Sequence, residues 1–293
     1  MLRGWDAANC RLCGRNCGAD RESAAGFCGM GTAPRVARAM LHHYEEPCIS
    51  GKNGAGAVFF SGCSLRCVYC QNARISREGF GKDISVGRLA EIFGELEHAG
   101  AHNIDLVNPT HFVPQIAEAL EQARPGVPVV YNSGGYDGEE AIERMNGLAD
   151  VYLPDLKYMS REASKAYSGA ENYFVTASAA VRRMVEQTGP PVIEDGLIKR
   201  GVIVRHLVLP GLWRDSVELV RRLWKEFRDG VMISLMSQYT PMPGVPAELD
   251  RRIMTLEYRR VTDVAEELGF CGYTQERGSA KKEYTPDFDL QGV

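Results

Sequence analysis

Eight of the nine cysteines crowd into the first 70 residues, at Cys10, Cys13, Cys17, Cys28, Cys48, Cys63, Cys67 and Cys70; the ninth is Cys271. Nine cysteines in 293 residues are too few for a disulfide scaffold of this size. The opening segment Met1-Leu2-Arg3-Gly4-Trp5-Asp6 lacks the apolar centre of a secretory signal, which predicts a cytoplasmic chain with reduced thiols. Closely spaced reduced thiols form a soft-ligand cage, so the crowding points to metal, with a secreted disulfide protein as the weaker competing reading. With 34 basic and 38 acidic side chains the formal charge is −4, which gives nucleic acid no electrostatic support. No stretch approaches the roughly 18 apolar residues of a membrane span.

The 44% of apolar residues can fill a sizeable core. From about residue 56 onward, short β-rich runs alternate with helical periodicity. The strand candidates are Ala57 to Ser61, Asn103 to Val107, Val127 to Tyr131, Asp150 to Pro154, Val202 to Leu209 and Val231 to Leu235. Alternation of this kind predicts parallel strands joined by right-handed helical crossovers, in a doubly wound sheet or a barrel. The first strand runs into Gly62-Cys63 and a cysteine loop, not the Gly-rich turn of a dinucleotide fold, which favours an open six-stranded barrel. A long helix is expected from about Glu248 to Leu268. An irregular tail, Tyr284-Thr285-Pro286-Asp287-Phe288, is expected to pack over the barrel. The division expected is a Cys-rich metal-binding extension over 1–50, an α/β core over 51–245, and a C-terminal helix and tail over 246–293.

Cys63, Cys67 and Cys70 spell CxxxCxxC, a pattern expected by chance only about 0.008 times in a chain of this length and cysteine content. Three thiolates on a tight loop suit a [4Fe-4S] cluster with one iron left open for a non-protein ligand. A structural zinc site completed by a distant residue fits less well, because such sites prefer paired CxxC arms.

With Tyr69 before the last cysteine, the loop resembles the signature of the radical S-adenosylmethionine (SAM) enzymes. The likeness reaches the pyruvate formate-lyase activating enzyme branch, in particular relatives with an added N-terminal cysteine region. It is carried by His42-His43-Tyr44-Glu45-Glu46-Pro47, Phe59 to Asn72, Asn108-Pro109-Thr110-His111, Tyr131 to Tyr136, Asp155-Leu156-Lys157, Leu209-Pro210-Gly211 and Ser237-Gln238-Tyr239. The resemblance implies a partial (β/α)6 barrel whose chemistry sits at the C-terminal ends of the strands. It also implies that the open iron chelates SAM, that reductive cleavage yields a 5′-deoxyadenosyl radical, and that a flavodoxin- or ferredoxin-type protein supplies the electron under anaerobic conditions.

Cofactor contacts are expected around that rim. Asn108 and Thr110 stand where activating enzymes carry a Gly-Gly-Glu turn for the SAM amino group, a departure that gives up a carboxylate's charge. Asp155 and Lys157, two apart, point to one side of an extended segment and resemble a family pair beside SAM. Asn132 precedes Gly134 and Gly135, where glycine lets a ligand approach the backbone. Arg205 resembles the family's strand arginine, and His206 reads as structural. Tyr69, Gln238 and Tyr239 complete the set, and no catalytic side chain is recognisable.

Cys10, Cys13, Cys17 and Cys28 form a four-thiolate set on a segment too short and polar to hold a core of its own. Zinc and a second iron-sulfur centre both fit its spacing. Gly14, where relatives carry Pro, is expected to loosen the turn, and Cys48 and Cys271 are expected to be buried small residues. The leading function is a radical SAM oxidoreductase that abstracts hydrogen from a protein or peptide, with the glycine of a glycyl-radical enzyme as one such target. Two alternatives stand beside it: radical SAM action on a small molecule or in peptide maturation, and a non-catalytic metal-stabilised electron-transfer or scaffold protein.

Overall fold

The computed structural model describes residues 4–275 and 286–293. Met1, Leu2 and Arg3 of the opening segment, and Tyr284 and Thr285 of the expected tail, lie outside the described residues. Ten strands are described: β1 (Arg35–His42), β2 (Ala55–Phe60), β3 (Lys82–Asp83), β4 (Ile104–Val107), β5 (Val129–Ser133), β6 (Val151–Pro154), β7 (Val192–Glu194), β8 (Leu197–Leu207), β9 (Met232–Met236) and β10 (Gly272–Thr274). They order as β10-β9-β8-β6-β5-β4-β2-β1-β3, with β7 hairpinned on β8. From β10 to β2 every pairing is parallel, while β1 runs antiparallel to β2. All six expected strands are present, and the sheet is curved but not closed, as in a partial barrel.

Helices Val86–His98, Val113–Ala123, Glu139–Met145, Trp213–Phe227 and Thr255–Glu267 make crossovers, and Arg161–Ser168 with Tyr173–Thr188 form a double one. Their apolar stripes cover the sheet: Leu89, Ile92, Phe93 and Leu96 from the first, Val217, Leu219, Val220 and Leu223 from the one before β9. β2, β5 and β6 are buried along their whole length, as strands covered on both faces are. Among the described residues no helix is long and apolar enough to cross a membrane.

Four features depart from expectation. β1 lies within the Cys-rich segment and joins the sheet between β2 and β3, with Arg35 and Arg38 as its charged side chains in an otherwise mostly apolar run. The long C-terminal helix starts at Thr255, not near Glu248: Glu257 turns back to accept the Met254 N–H at 2.9 Å and caps the helix there. Cys48 is buried, but Cys271 is exposed, because it precedes a three-residue strand at the sheet edge. Gly14 tightens the structure: a Cβ there would stand 2.4 Å from the Tyr136 ring, and its N–H donates to Tyr136 O at 3.0 Å. In the tail, Phe288 is buried against Phe59, and Ala39 N donates to Gln291 O at 2.9 Å.

Candidate active site at the strand ends

β2 delivers the cysteine loop. Ser61 N donates to Arg35 O at 2.9 Å, and the buried His111 ring meets Ser61 O at 2.6 Å, so the strand end is fixed before the first cysteine. Arg66 takes a left-handed φ of 53° within the loop, a conformation the surrounding contacts must hold. Each sulfur has a hydrogen-bond partner: Leu65 N donates to Cys63 Sγ at 3.4 Å, Ser76 Oγ to Cys70 Sγ at 3.3 Å, and Ser168 Oγ lies 2.9 Å from Cys67 Sγ. The same Ser168 hydroxyl lies 2.9 Å from Tyr158 OH, which is 2.5 Å from Tyr69 OH.

Burial, with Cys67 close by, pushes the Cys63 thiol up to about 12. Bound metal charge must therefore supply its ionisation. Among the described residues no three His, Cys, Asp or Glu side chains converge on a single-ion position. A cubane takes each thiolate on a different iron and does not need that convergence. Three sulfurs, Cys67 buried and Cys63 and Cys70 half-buried, each already hydrogen-bonded, fit such a cluster.

Facing the loop is a charged network drawn from separate strands. Arg205 on β8 donates from Nε to Asp155 at 3.2 Å, from Nη1 to Glu45 at 2.9 Å and from Nη2 to Asn132 Oδ1 at 2.6 Å. Asp155 also pairs with Lys157, which lies within electrostatic reach of Cys67 and Cys70. Burial works against the Asp155 charge, but Lys157 and Arg205 outweigh it and hold the carboxyl below its usual range. The opposite holds for Glu45, Glu46 and Asp105: burial raises all three, Asp105 furthest, against the pull of Arg205.

A cavity of about 600 Å³ separates loop from network. Tyr69, Cys70, Asp155, Lys157, Arg205 and Gln238 line it, and it is flanked by His42–Glu46 at the end of β1 and by Tyr273–Gln275 at β10. Its size suits a cofactor-scale ligand. A second hollow of about 430 Å³, around Leu120, Val127 and Asp150, lies by the N-terminal end of β5, away from any cysteine.

Other expected site residues lie behind this wall. Asn108, at a φ of 61°, donates its amide to Gly62 O, and the Thr110 hydroxyl donates to Asp137 at 2.6 Å. Asn132 braces Arg205, and Tyr239 packs on Tyr69 with its hydroxyl on Leu249 O at 2.7 Å. Gly135 serves the backbone: a Cβ at its φ of 76° would stand 2.0 Å from Asp155 O, so the close approach there is to the neighbouring strand and not to a ligand. His206 is structural, between Leu156 O at 2.6 Å and Ser216 Oγ at 2.8 Å. Sequence reasoning gave no role to Glu45, Glu46, Asp105, Tyr158 or Ser168. The paired glutamates before Pro47 were the visible signal for the first two.

Residues 57–223, more than half of the chain, match the profile of the Radical SAM superfamily. The chain belongs to this superfamily. Radical SAM membership brings a [4Fe-4S] cluster and SAM as cofactors. The chain is 28% identical over 269 residues to an uncharacterized protein of Methanocaldococcus jannaschii, covering 88% of this chain and 74% of that one. It is 23% identical over 199 residues to the pyruvate formate-lyase 1-activating enzyme of Escherichia coli, covering 64% and 74%. Among solved structures, Streptococcus suis SuiB bound to its precursor peptide SuiA superposes with a TM-score of 0.53 at 12% identity, over 74% of this chain and 47% of that one. The chain thus spans about half the length of SuiB. A radical SAM methyltransferase from Sphaerobacter thermophilus superposes with a TM-score of 0.51 at 15% identity, over 77% and 67%. These two structures share the fold.

Proposed function

We propose that this radical SAM protein is an oxidoreductase acting on a protein or peptide, with the glycine of a glycyl-radical enzyme as the first target to test. The cavity between the cysteine loop and the Asp155–Lys157 pair carries the reading, since it offers cofactor-sized space on the side of the loop that Cys70 faces. The 23% likeness to pyruvate formate-lyase activating enzymes supports the activating role. When bound, the cluster and SAM supply a one-electron cleavage that leaves an organic radical able to take hydrogen from a substrate.

The chain's own side chains prepare for this. Cys63, Cys67 and Cys70 hold the cluster. Lys157, kept charged by Asp155, meets the SAM carboxylate, and Asp155 accepts from the SAM ammonium or ribose hydroxyls. Arg205, with its donors committed to Asp155, Glu45 and Asn132, orients the pair instead of binding ligand directly. Tyr69 and Gln238 wall the nucleoside side, while Asn108, Thr110 and Tyr239 position the walls. Residues 51–245 form the catalytic core, with 1–50 and 246–293 as additions. Nine free cysteines suit a reducing cytoplasm and a flavodoxin- or ferredoxin-type donor.

The test is anaerobic reconstitution with dithionite and SAM, which should release 5′-deoxyadenosine in wild type and none in Cys63→Ala, Cys67→Ala or Cys70→Ala. A glycyl radical seen by electron paramagnetic resonance in an added candidate protein supports activation. Deuterium transfer into 5′-deoxyadenosine from a labelled small molecule but from no labelled protein would move the target to small molecules. Full activity in any of the three cysteine variants removes the cluster assignment.

A further inference from the structure

The four N-terminal cysteines take no part in the chemistry above, yet their loop is folded tightly. Cys10 N donates to Ala19 O and Gly18 N to Cys10 O, both at 3.1 Å, and Asn16 N closes a turn on Cys13 O at 2.9 Å. Cys10, Cys17 and Cys28 all lie within electrostatic reach of Cys13. A Cβ added at Gly26 would meet the Cys28 and Cys17 sulfurs at 3.5 and 3.8 Å. The set also runs inward, from exposed Cys17 through half-buried Cys13 to buried Cys10 and Cys28.

Arg21 shows what charge belongs there. It is 2% exposed, and its guanidinium donates to Met30 O, His111 O and Gly31 O and approaches Cys10 Sγ at 3.9 Å. Among the described residues no carboxylate pairs with it. A buried cation answered by carbonyls, a thiol and the faces of Trp5 and Phe112 but by no carboxylate is costly, and a metal-thiolate centre, which carries net negative charge, supplies the missing partner.

The inner end of the set touches the other cysteine loop. Cys63 N donates to Cys28 O at 3.3 Å. Arg15 ties the two further, with Nε on Ser64 O at 2.7 Å and Nη2 on Ser168 O at 2.6 Å, and Ser168 is the residue beside Cys67 Sγ. We propose that Cys10, Cys13, Cys17 and Cys28 hold a second iron-sulfur centre that passes single electrons from a protein donor at the surface to the cluster on Cys63, Cys67 and Cys70. A stapling zinc needs no contact with a redox loop, whereas a relay does. One electron enters from a flavodoxin- or ferredoxin-type donor and the same electron leaves inward; no bond forms or breaks at the four cysteines. The destination of that electron rests on the SAM-cleaving reading, but the centre itself does not.

The test uses the full chain, reconstituted anaerobically. Wild type should hold about eight irons and no stoichiometric zinc, and Cys17→Ser about four irons, as two cubanes reduced to one require. In Cys17→Ser, 5′-deoxyadenosine formation driven by reduced flavodoxin should fall by about tenfold or more, and far less when small dithionite is the donor. Four irons with one zinc in wild type overturns the proposal, as does an equal loss with both donors. Should Cys17→Ser fail to fold, the resonance spectrum of reduced wild type decides: two cluster signals, only one shifted by SAM, uphold the proposal, and a single signal overturns it. Eight irons with no SAM cleavage by either donor would sink the SAM-cleaving reading while the N-terminal centre stood.

Discussion

The cysteine loop and the charged network face each other across one cavity, but they are built in opposite ways. The loop is local: three sulfurs come from eight consecutive residues and take their hydrogen bonds from Leu65, Ser76 and Ser168. The network is assembled from Glu45 after β1, Asp105 on β4, Asn132 on β5, Asp155 and Lys157 after β6, and Arg205 on β8. A local motif can lose one member and fail chemically while the fold survives. An assembled set of buried charges cannot lose its central cation without leaving several carboxylates unanswered.

The largest expected effect tests the first half of that contrast. Cys70→Ala should lower SAM cleavage by about a thousandfold or more, to background, while the metal-free chain unfolds within about 1 kcal/mol of wild type. A metal-free variant that melts far earlier would make the loop structural as well. Arg205→Ala should behave in reverse, losing about 3 to 5 kcal/mol in urea unfolding before any assay of activity. Unchanged stability there would mean that Glu45 and Asp155 are not held as an assembled set.

Acid should withdraw a histidine contribution from both regions. His111 braces the loop and His206 the network, and burial lowers them to about 3 and about 4; His42, beside the cavity, is lowered to about 4. Between those values and the unfolded value of about 6.5, the unfolded chain takes up protons that the folded chain does not. The histidine contribution is therefore complete above about pH 6.5 and declines as pH falls, by about 1 kcal/mol per histidine at pH 5.5, while Glu45, Glu46 and Asp105, raised by burial, take up protons in the folded chain and oppose it. Imidazole rings that titrate near pH 6.5 by nuclear magnetic resonance would show these histidines to be solvated. The smallest effect is Ser168→Ala. Losing one hydrogen bond of about 1 kcal/mol at the Cys67 sulfur should lower the cluster potential by about 40 mV, because that bond favours the more negative reduced state. Redox titration followed by electron paramagnetic resonance reads it, and a rise in potential would reverse the assigned direction.

The same contrast explains what could be read from the chain. CxxxCxxC is legible because its ligands are neighbours in sequence, and six parallel strands are legible because buried strands read as apolar runs. Asp155 and Lys157 were visible as a pair two apart, but Glu45 and Asp105 acquire meaning only when β1, β4 and β8 meet. Asn108 and Thr110 show the converse: the turn lies where a cofactor contact is expected, yet tertiary packing turns the two side chains to Gly62 and Asp137. Edge strands were missed because Gly272–Thr274 and Val192–Glu194 are three residues long and carry little periodicity.

Leaving the sheet unclosed also has consequences for how such a protein can diversify. Among the described residues β10 pairs with β9 alone, and it carries Tyr273 and Thr274, which with Gln275 form one flank of the cavity. Exchanges or insertions at that flank disturb no ladder between the inner strands and leave the cysteine loop, at the far end of the parallel set, in place. Substrate choice can therefore drift by mutation at the border while the machinery inside is inherited unchanged.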